Sequence, residues 1–395
     1  MRLLVLTSRF PYPVEKGDKL RLFFQLRELA RHHRVILVAL NEGPVAPGDY
    51  QVVASLCEEV HVWPLTRAGI AAHLLQGLLS GQPLQVAYFF RRRYLRRLAA
   101  LIARTRPDGL YCQLIRMAEY VRRLPADLPA TLDYMDCFSV QMARQAERES
   151  PWRRPVYRRE ARLLGRYEAQ VYPAFSHHTI ISAQDRDLLG LSPARRAQVQ
   201  VIPNGVDTDY FHPAAGPAAT ETHDLVFAGN MGYFPNVQAA RYLVEVLMPR
   251  VWAQRPDTSL LLAGARPAPA VLRLAEDSRV EVSGWLEDIR SGYRAGRLFV
   301  APLQAGSGQQ NKILEALALG RPCLTTPLVN NAIGAEPERD LLLAEDPDDW
   351  VRQILRGLAD TELRARLGRA GRAFVAEGHS WGHTVGLLRA LWEKD

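Results

Sequence analysis

Apolar residues gather in short runs along the chain, separated by segments in which they recur with helical spacing. Arg2–Thr7 is the first run. A loop containing Pro and Gly follows, then apolar positions at Leu20, Phe23, Phe24, Leu26, Leu29 and Ala30, then a second run at Val35–Leu40. Strand, helix and strand in that order predict a βαβ unit, which implies a parallel sheet. Further runs at Val60–Trp63, Gly109–Cys112, Ala130–Leu132 and His178–Ser182 alternate with helical segments up to about residue 205.

The pattern breaks at Ile202-Pro203-Asn204-Gly205-Val206-Asp207, where an Asn-Gly turn leads towards Pro213-Ala214-Ala215-Gly216-Pro217-Ala218-Ala219, a stretch of linker composition. A domain boundary is expected there. The alternation then restarts with strands at Leu225–Gly229, Leu260–Gly264, Arg279–Val282, Leu298–Pro302 and Pro322–Thr325. Helices are expected at Val237–Gln254, Ile289–Ala295 and Ile313–Leu319. The fold class expected is α/β: two Rossmann-like, doubly wound parallel-sheet domains whose carboxyl edges face a central cleft, where ligands of such sheets bind.

Composition narrows the class. Of 395 residues, 48% are apolar and 23% charged, which excludes a disordered or collagen-like chain and supplies material for two or three domains. Cys57, Cys112, Cys137 and Cys323 show no CxxC spacing and read as reduced, mostly buried thiols of a cytosolic protein. The apolar start is too short for a secretory signal. The uncharged stretch from Ala68 to Phe90 is long enough to cross a bilayer, but His73, Gln76, Ser80, Gln82, Pro83 and Gln85 interrupt it, so spanning is not expected.

The formal net charge of +8 favours an anionic partner. Directly after the uncharged stretch comes Phe89-Phe90-Arg91-Arg92-Arg93-Tyr94-Leu95-Arg96-Arg97, with Arg104, Arg106, Arg116, Arg122 and Arg123 close behind. Aromatics beside clustered cations suit a surface helix on anionic lipid headgroups, with Arg91, Arg92, Arg93, Arg96 and Arg97 in contact; a solvated basic face is the plainer reading. Without a helix-turn-helix, RNP or zinc-finger pattern, nucleic acid is not expected as a partner. The charges from Tyr157 to Glu168 have the spacing of intrahelical pairs. The adjacent pairs His32-His33 and His177-His178 diverge, which argues against a metal site.

The chemistry concentrates at Gly306-Ser307-Gly308-Gln309-Gln310-Asn311-Lys312, which leads into a helix ending near Leu319. Glycines admit close backbone approach, a helix N-terminus favours phosphate, and Lys312 adds a full charge. Glu315 lies one turn further on the face of Asn311 and Lys312, where a carboxylate can accept from both hydroxyls of a ribose. A capped helix with a solvent-facing glutamate is the alternative.

The runs VIPNGVDTDYFHP, LVFAGNMGYFPN, VEVSGWLEDIRSGYRAGRLFVAPL and GSGQQNKILEALALGRPCLTT resemble the retaining glycosyltransferases of family 4, which have the GT-B fold. SRFPYPVEKGDKLRLFFQLRELARHHRVILVAL and YRREARLLGRYEAQVY look like the subgroup associated with exosortase loci and exopolysaccharide assembly. HSWGHTVGLLRALWEKD looks like the family's terminal helix crossing back to the first domain. The resemblance implies an acceptor-binding domain at 1–205, a nucleotide-sugar-binding domain at 206–375 and a returning helix at 376–395. It also implies transfer with retained configuration from a nucleotide-sugar to a glycan or lipid-linked acceptor in cell-envelope glycan synthesis. The enzyme would need no cofactor and no obligatory metal, and would sit in the cytoplasm or on the inner face of the membrane.

Residue by residue, Glu315 matches the second glutamate of the family's Glu-x7-Glu motif, the ribose ligand. Ser307 stands where the first would contact the sugar, so that carboxylate contact is missing. The loop Gly229-Asn230-Met231-Gly232-Tyr233-Phe234-Pro235-Asn236 lacks the arginine and lysine that many members place against the diphosphate. Charge developing on the leaving nucleoside diphosphate needs preorganised donors. Lys312, the amides around Gly306 and Gly308, and the loop with Lys16, Gly17 and Lys19 are available, while Asp18 reads first as an N-cap. In Asp133-Tyr134-Met135-Asp136 one carboxylate, Asp136 by preference, is placed to orient or deprotonate an acceptor hydroxyl. Gly284 to Leu286 match the turn whose backbone contacts the base. Asp136, Lys312 and Glu315 are thus the expected catalytic residues. Gly17, Gly229, Asn230, Gly284, Leu286, Gly306, Ser307, Gly308 and Asn311 join Lys312 and Glu315 around the donor. Two rivals stay open: a nucleotide-sugar epimerase, and a noncatalytic basic protein binding glycan or membrane on the same fold.

Overall fold

The computed structural model describes residues 1–124, 128–216, 221–304 and 309–393. Its contacts divide the chain into two compact units, Met1–Pro203 with Val385–Asp395, and Asn204–Thr384. The first unit is built on a seven-stranded sheet: β1 (Arg2–Thr7), β2 (Arg34–Asn41), β3 (Glu59–Pro64), β4 (Gly109–Gln113), β5 (Ala130–Asp133), β6 (His177–Ile180) and β7 (Gln200–Val201). The order is β3-β2-β1-β4-β5-β6-β7 and every neighbouring pair is parallel. Leu3–Leu6 and Val35–Leu40 are buried on both faces, which is why these strands read as continuous rather than alternating apolar runs.

The helices that matter here in the first unit are α1 (Gly17–Leu29), α2 (Arg67–Ser80), α3 (Leu84–Phe89), α4 (Arg92–Thr105), α5 (Phe138–Arg148) and α6 (Arg154–Val171). The long uncharged stretch is two of these. Thr66 caps α2 by accepting from Gly69 N–H at 3.2 Å, and Gly81, with φ of +71°, ends it in the left-handed conformation. Among the described residues no helix is long and apolar enough to cross a membrane.

Two charge readings are corrected. The glutamates of α6 do not pair along their own helix: both are buried and serve neighbouring segments. Glu160 accepts from the amides of Leu84 and Gln85 at 2.8 and 2.9 Å and so caps α3; Glu168 accepts from the amides of Ser139 and Gly190, each at 3.2 Å. A carboxylate facing inward gains more from orphan helix donors than from a solvated arginine. The cationic run, in turn, is not one surface. Phe89, Phe90 and Tyr94 go to the core and Arg91 is only 4% exposed, while Arg92, Arg93, Arg96 and Arg97 face solvent. Helix α4 begins at Arg92, leaving Arg91 in extended backbone that turns its side chain inward.

The second unit carries a six-stranded sheet of β8 (His223–Ala228), β9 (Leu260–Ala263), β10 (Val280–Gly284), β11 (Gly296–Ala301), β12 (Cys323–Thr325) and β13 (Leu342–Leu343). Its order is β10-β9-β8-β11-β12-β13, again parallel throughout. The helix α7 (Phe234–Tyr242) continues through a π turn at Leu243–Leu247 to Trp252. Pro249 offers no N–H and its ring would strike the carbonyl four residues back, so the ladder slips by one residue just before it. Then come α8 (Ile289–Ala295), α9 (Asn311–Ala318) and α10 (Trp381–Trp392). From Val385 onward α10 belongs to the first unit: Val385 and Leu388 share a core with Leu3 and Val5, and Trp392 Nε1 donates to Thr131 Oγ1 at 2.8 Å. The four cysteines are free thiols, three buried and Cys57 half-buried.

Glycines close three adjacent strands of the second sheet: Gly229 after β8, Gly264 after β9 and Gly284 at the end of β10. A Cβ on Gly264 would stand 1.9 Å from the carbonyl oxygen of Gly229. Gly264→Ala is therefore expected to destabilise the second unit by roughly 2–4 kcal/mol, seen as a drop in Tm on the order of 10 °C. An unchanged Tm would contradict this account of the strand ends.

Candidate functional site

At the carboxyl edge of the second sheet, the loop after β8 meets the first turn of α9. Lys312 Nζ donates to Asn236 Oδ1 at 2.5 Å and to Gln310 Oε1 at 3.4 Å, and it lies 5.5 Å from the centre of the Phe227 ring. Both acceptors are neutral. Burial lowers the Lys312 pKa to about 8, partly offset by Glu315. Asn236, itself buried, donates to the Asn230 carbonyl at 2.9 Å, and a Cβ on Gly229 would lie 2.8 Å from Asn236 Nδ2. Asn236 thus ties Lys312 to the Gly229–Asn230 turn. In the sequence Asn236 carries no charge signal, and only the structure places it, in the first turn of α7, against Lys312.

Glu315 is half-buried and does not face solvent freely. Its Oε2 accepts from the Tyr293 hydroxyl of α8 at 2.5 Å, and burial raises its pKa, against the lowering effects of Tyr293 and Lys312. This fixes one carboxylate oxygen through Tyr293. Asn311, the first residue of α9, accepts through Oδ1 from Asn204 Nδ2 at 3.3 Å; Gln309 Oε1 accepts from the Asn204 backbone N–H at 2.6 Å and Gln309 Nε2 donates to the Asn204 carbonyl at 3.2 Å. Gln310, the N-cap residue of α9, makes no side-chain cap. Gly284 has a φ of +67° and Leu286 packs on the core behind it, with exposed Trp285 between them. Gly306, Ser307 and Gly308 lie outside the described residues.

The residues expected in the first half form a separate group in the first unit. Gly17 opens α1 with open space around it; Lys16 is the capping residue and makes no side-chain cap. Asp18 is not the cap: its carboxylate takes Arg9 Nη1 at 2.7 Å. Asp133 is fully buried and occupied by Arg21 at 2.7 Å, Tyr111 at 2.7 Å and Thr179 at 3.1 Å, a structural arrangement. Asp136 is half-buried and different: burial first, then Asp185, raise its pKa to about 6, with a Gln141 hydrogen bond and Arg21 opposing. A carboxyl titrating there suits proton transfer near neutrality. Arg116, beyond the end of β4, lies over the Phe89 and Phe138 rings at 5.2 and 4.8 Å. Burial and then Arg9 lower its pKa to about 10, while Asp18 and Asp136 raise it. It was grouped in the sequence with surface arginines, and only the fold separates it from them.

The architecture is that of the GT-B glycosyltransferases. A sucrose-phosphate synthase from Thermosynechococcus elongatus superposes with a TM-score of 0.71 at 18% identity, covering 100% of this chain and 99% of that one. In the second unit, residues 222–360 match the model described as Glycosyl transferases group 1. The GDP-mannose-dependent monoacylated alpha-(1-6)-phosphatidylinositol monomannoside mannosyltransferase of Corynebacterium glutamicum is 30% identical over 200 residues, 46% of this chain and 52% of that protein. The UDP-Gal:alpha-D-GlcNAc-diphosphoundecaprenol alpha-1,3-galactosyltransferase of Escherichia coli is 26% identical over 187 residues, 42% and 46% respectively. The chain spans about half the length of these two relatives.

Proposed function

We propose that the protein is a retaining glycosyltransferase that moves a sugar from a nucleotide-sugar donor to a glycan or lipid-linked acceptor. Its place would be in the assembly of an exopolysaccharide or another cell-envelope glycan, on the cytoplasmic side of the membrane, without an obligatory metal. The observation that carries this reading is the half-buried Lys312 ammonium, held by two neutral amides one turn from a carboxylate fixed by Tyr293. The cation suits the donor diphosphate and the carboxylate a ribose. Both relatives are named for nucleotide-sugar donors and for acceptors carrying a lipid. Asp136 serves as the base for the acceptor hydroxyl, with Arg116 beside it.

A thermal-shift series with UDP, GDP, ADP, CMP and dTDP tests this. One nucleotide is expected to raise the Tm selectively, since a ligand at about 100 times its Kd adds about 2.7 kcal/mol. No shift with any of them would overturn the transferase reading in favour of a noncatalytic binding protein. Consumption of the sugar conjugate with no acceptor present would favour an epimerase.

A further inference from the structure

The first unit holds a cavity of about 480 Å³ between α2 and α4, walled in part by Thr66, His73 and Gln76 and by Arg92, Arg93 and Arg123. None of the residues lining it is acidic. Arg91 is part of its lining. Its side chain is almost wholly buried; Nη1 donates to the carbonyls of Ala87 and Phe90 at 3.1 and 2.7 Å, whereas Nη2 reaches no acceptor. A buried guanidinium N–H left unpaired is costly, and Arg91 stands in the wall of a space large enough for a ligand. Burial and the neighbouring Arg93 push the Arg91 pKa down, so a negative charge in the cavity would relieve both effects. None of Arg92, Arg93, Arg96 and Arg97 forms an ion pair with a described residue.

The outer face of α2 adds a second, independent feature. Leu75, Leu78 and Leu79 are 59%, 51% and 80% exposed. Arg159 of α6 donates to the Leu78 carbonyl at 3.2 Å, so the start of α6, with exposed Val156 and with exposed Trp152 in the turn before it, abuts the same end of α2. Exposed leucines beside a cationic, donor-lined cavity fit the boundary between headgroup and acyl chain, which a soluble phosphate would not explain.

We propose that this cavity takes the phosphate of an anionic membrane lipid, with Arg91, Arg92 and Arg93 as donors and Leu75, Leu78 and Leu79 entering the acyl boundary. The site is separate from the donor edge of the second sheet and does not depend on the transferase reading. It also replaces the flat basic face expected from the sequence with a pocket.

Co-sedimentation of the full chain with vesicles of phosphatidylcholine, with and without phosphatidylglycerol, at physiological salt tests it. Binding is expected only with phosphatidylglycerol. Arg91→Gln should abolish retention. Should that variant fail to fold, the exposed pair Arg92→Gln/Arg93→Gln decides, with an expected loss of about 30-fold. Leu75→Ser/Leu79→Ser should lose about tenfold or more. Arg366→Gln/Arg369→Gln removes the same charge from exposed positions of the second unit and should change binding by at most a few-fold. Equal losses from the two arginine pairs would overturn the site in favour of diffuse attraction. Equal retention by pure phosphatidylcholine would overturn it as well. Stabilisation by inorganic phosphate without retention on either vesicle would overturn the lipid assignment and indicate a soluble phosphorylated ligand.

Discussion

Replacing Glu315 with alanine is expected to weaken the cognate nucleoside diphosphate by about 10- to 100-fold, because hydrogen bonds to a charged acceptor are worth about 1.5–3 kcal/mol and each 1.4 kcal/mol is tenfold. Glu315→Gln separates binding from folding. Burial raises the folded-state pKa of this carboxyl above its ordinary 4.5. Its stabilising contribution is therefore complete below 4.5 and is lost as pH rises through the folded value. Ionisation of this carboxyl as pH rises towards neutrality thus opposes folding. Glutamine should raise the Tm there while still weakening the nucleotide, and its advantage should fade in acid. Tyr293→Phe, which frees the carboxylate from its anchor, should cost less affinity than either change. Titration calorimetry with unchanged affinity in Glu315→Ala would remove the ribose role.

For Asp136→Asn, the expected loss is in rate, about 10²- to 10⁴-fold, the usual contribution of a positioned base. With a pKa near 6, the wild-type kcat/KM should fall as pH drops through 6, and the variant should lose that acid limb. The stability sign again sets a base apart from a structural cap. The raised pKa means that the group's contribution to stability is present below 3.8 and lost as pH rises through 6, so asparagine should leave the fold unharmed or more stable at neutral pH. A variant that keeps its rate but unfolds earlier would show Asp136 to be structural instead.

The strands were legible because parallel sheets bury both faces and leave unbroken apolar runs: Val35–Leu40 lies on β2, and Leu298–Pro302, all but its proline, on β11. The helix around Val237–Gln254 was legible as well, but its π turn depends on where Pro249 meets the hydrogen-bond ladder. Charges misled where tertiary contacts outweighed spacing. Glu160 caps a helix more than seventy residues away in sequence, a partner that no local pattern reveals. Arg91 is indistinguishable from Arg92 until the helix start is known, and then the two point to different environments. At the candidate site, Lys312 and Glu315 were found by their spacing on one helix face. Asn236, Tyr293 and Arg116 were missed because what they do depends on neighbours supplied by other elements.

The glycine-ended strands β8, β9 and β10 have a bearing on how the protein could acquire a different substrate. The amides of Gly229 and Gly264 are already committed to the Ala263 carbonyl at 3.0 Å and the Ser283 hydroxyl at 3.2 Å. That ledge therefore supplies room and little chemistry. On the proposed reading, choice among sugars and bases would fall to side chains around it, including Asn230 and the exposed aromatics Tyr233, Phe234 and Trp285. Scaffold and selectivity are thus separable at the level of single positions. A library that fixes the three glycines and varies those four residues can explore new donors without first spending the stability of the domain.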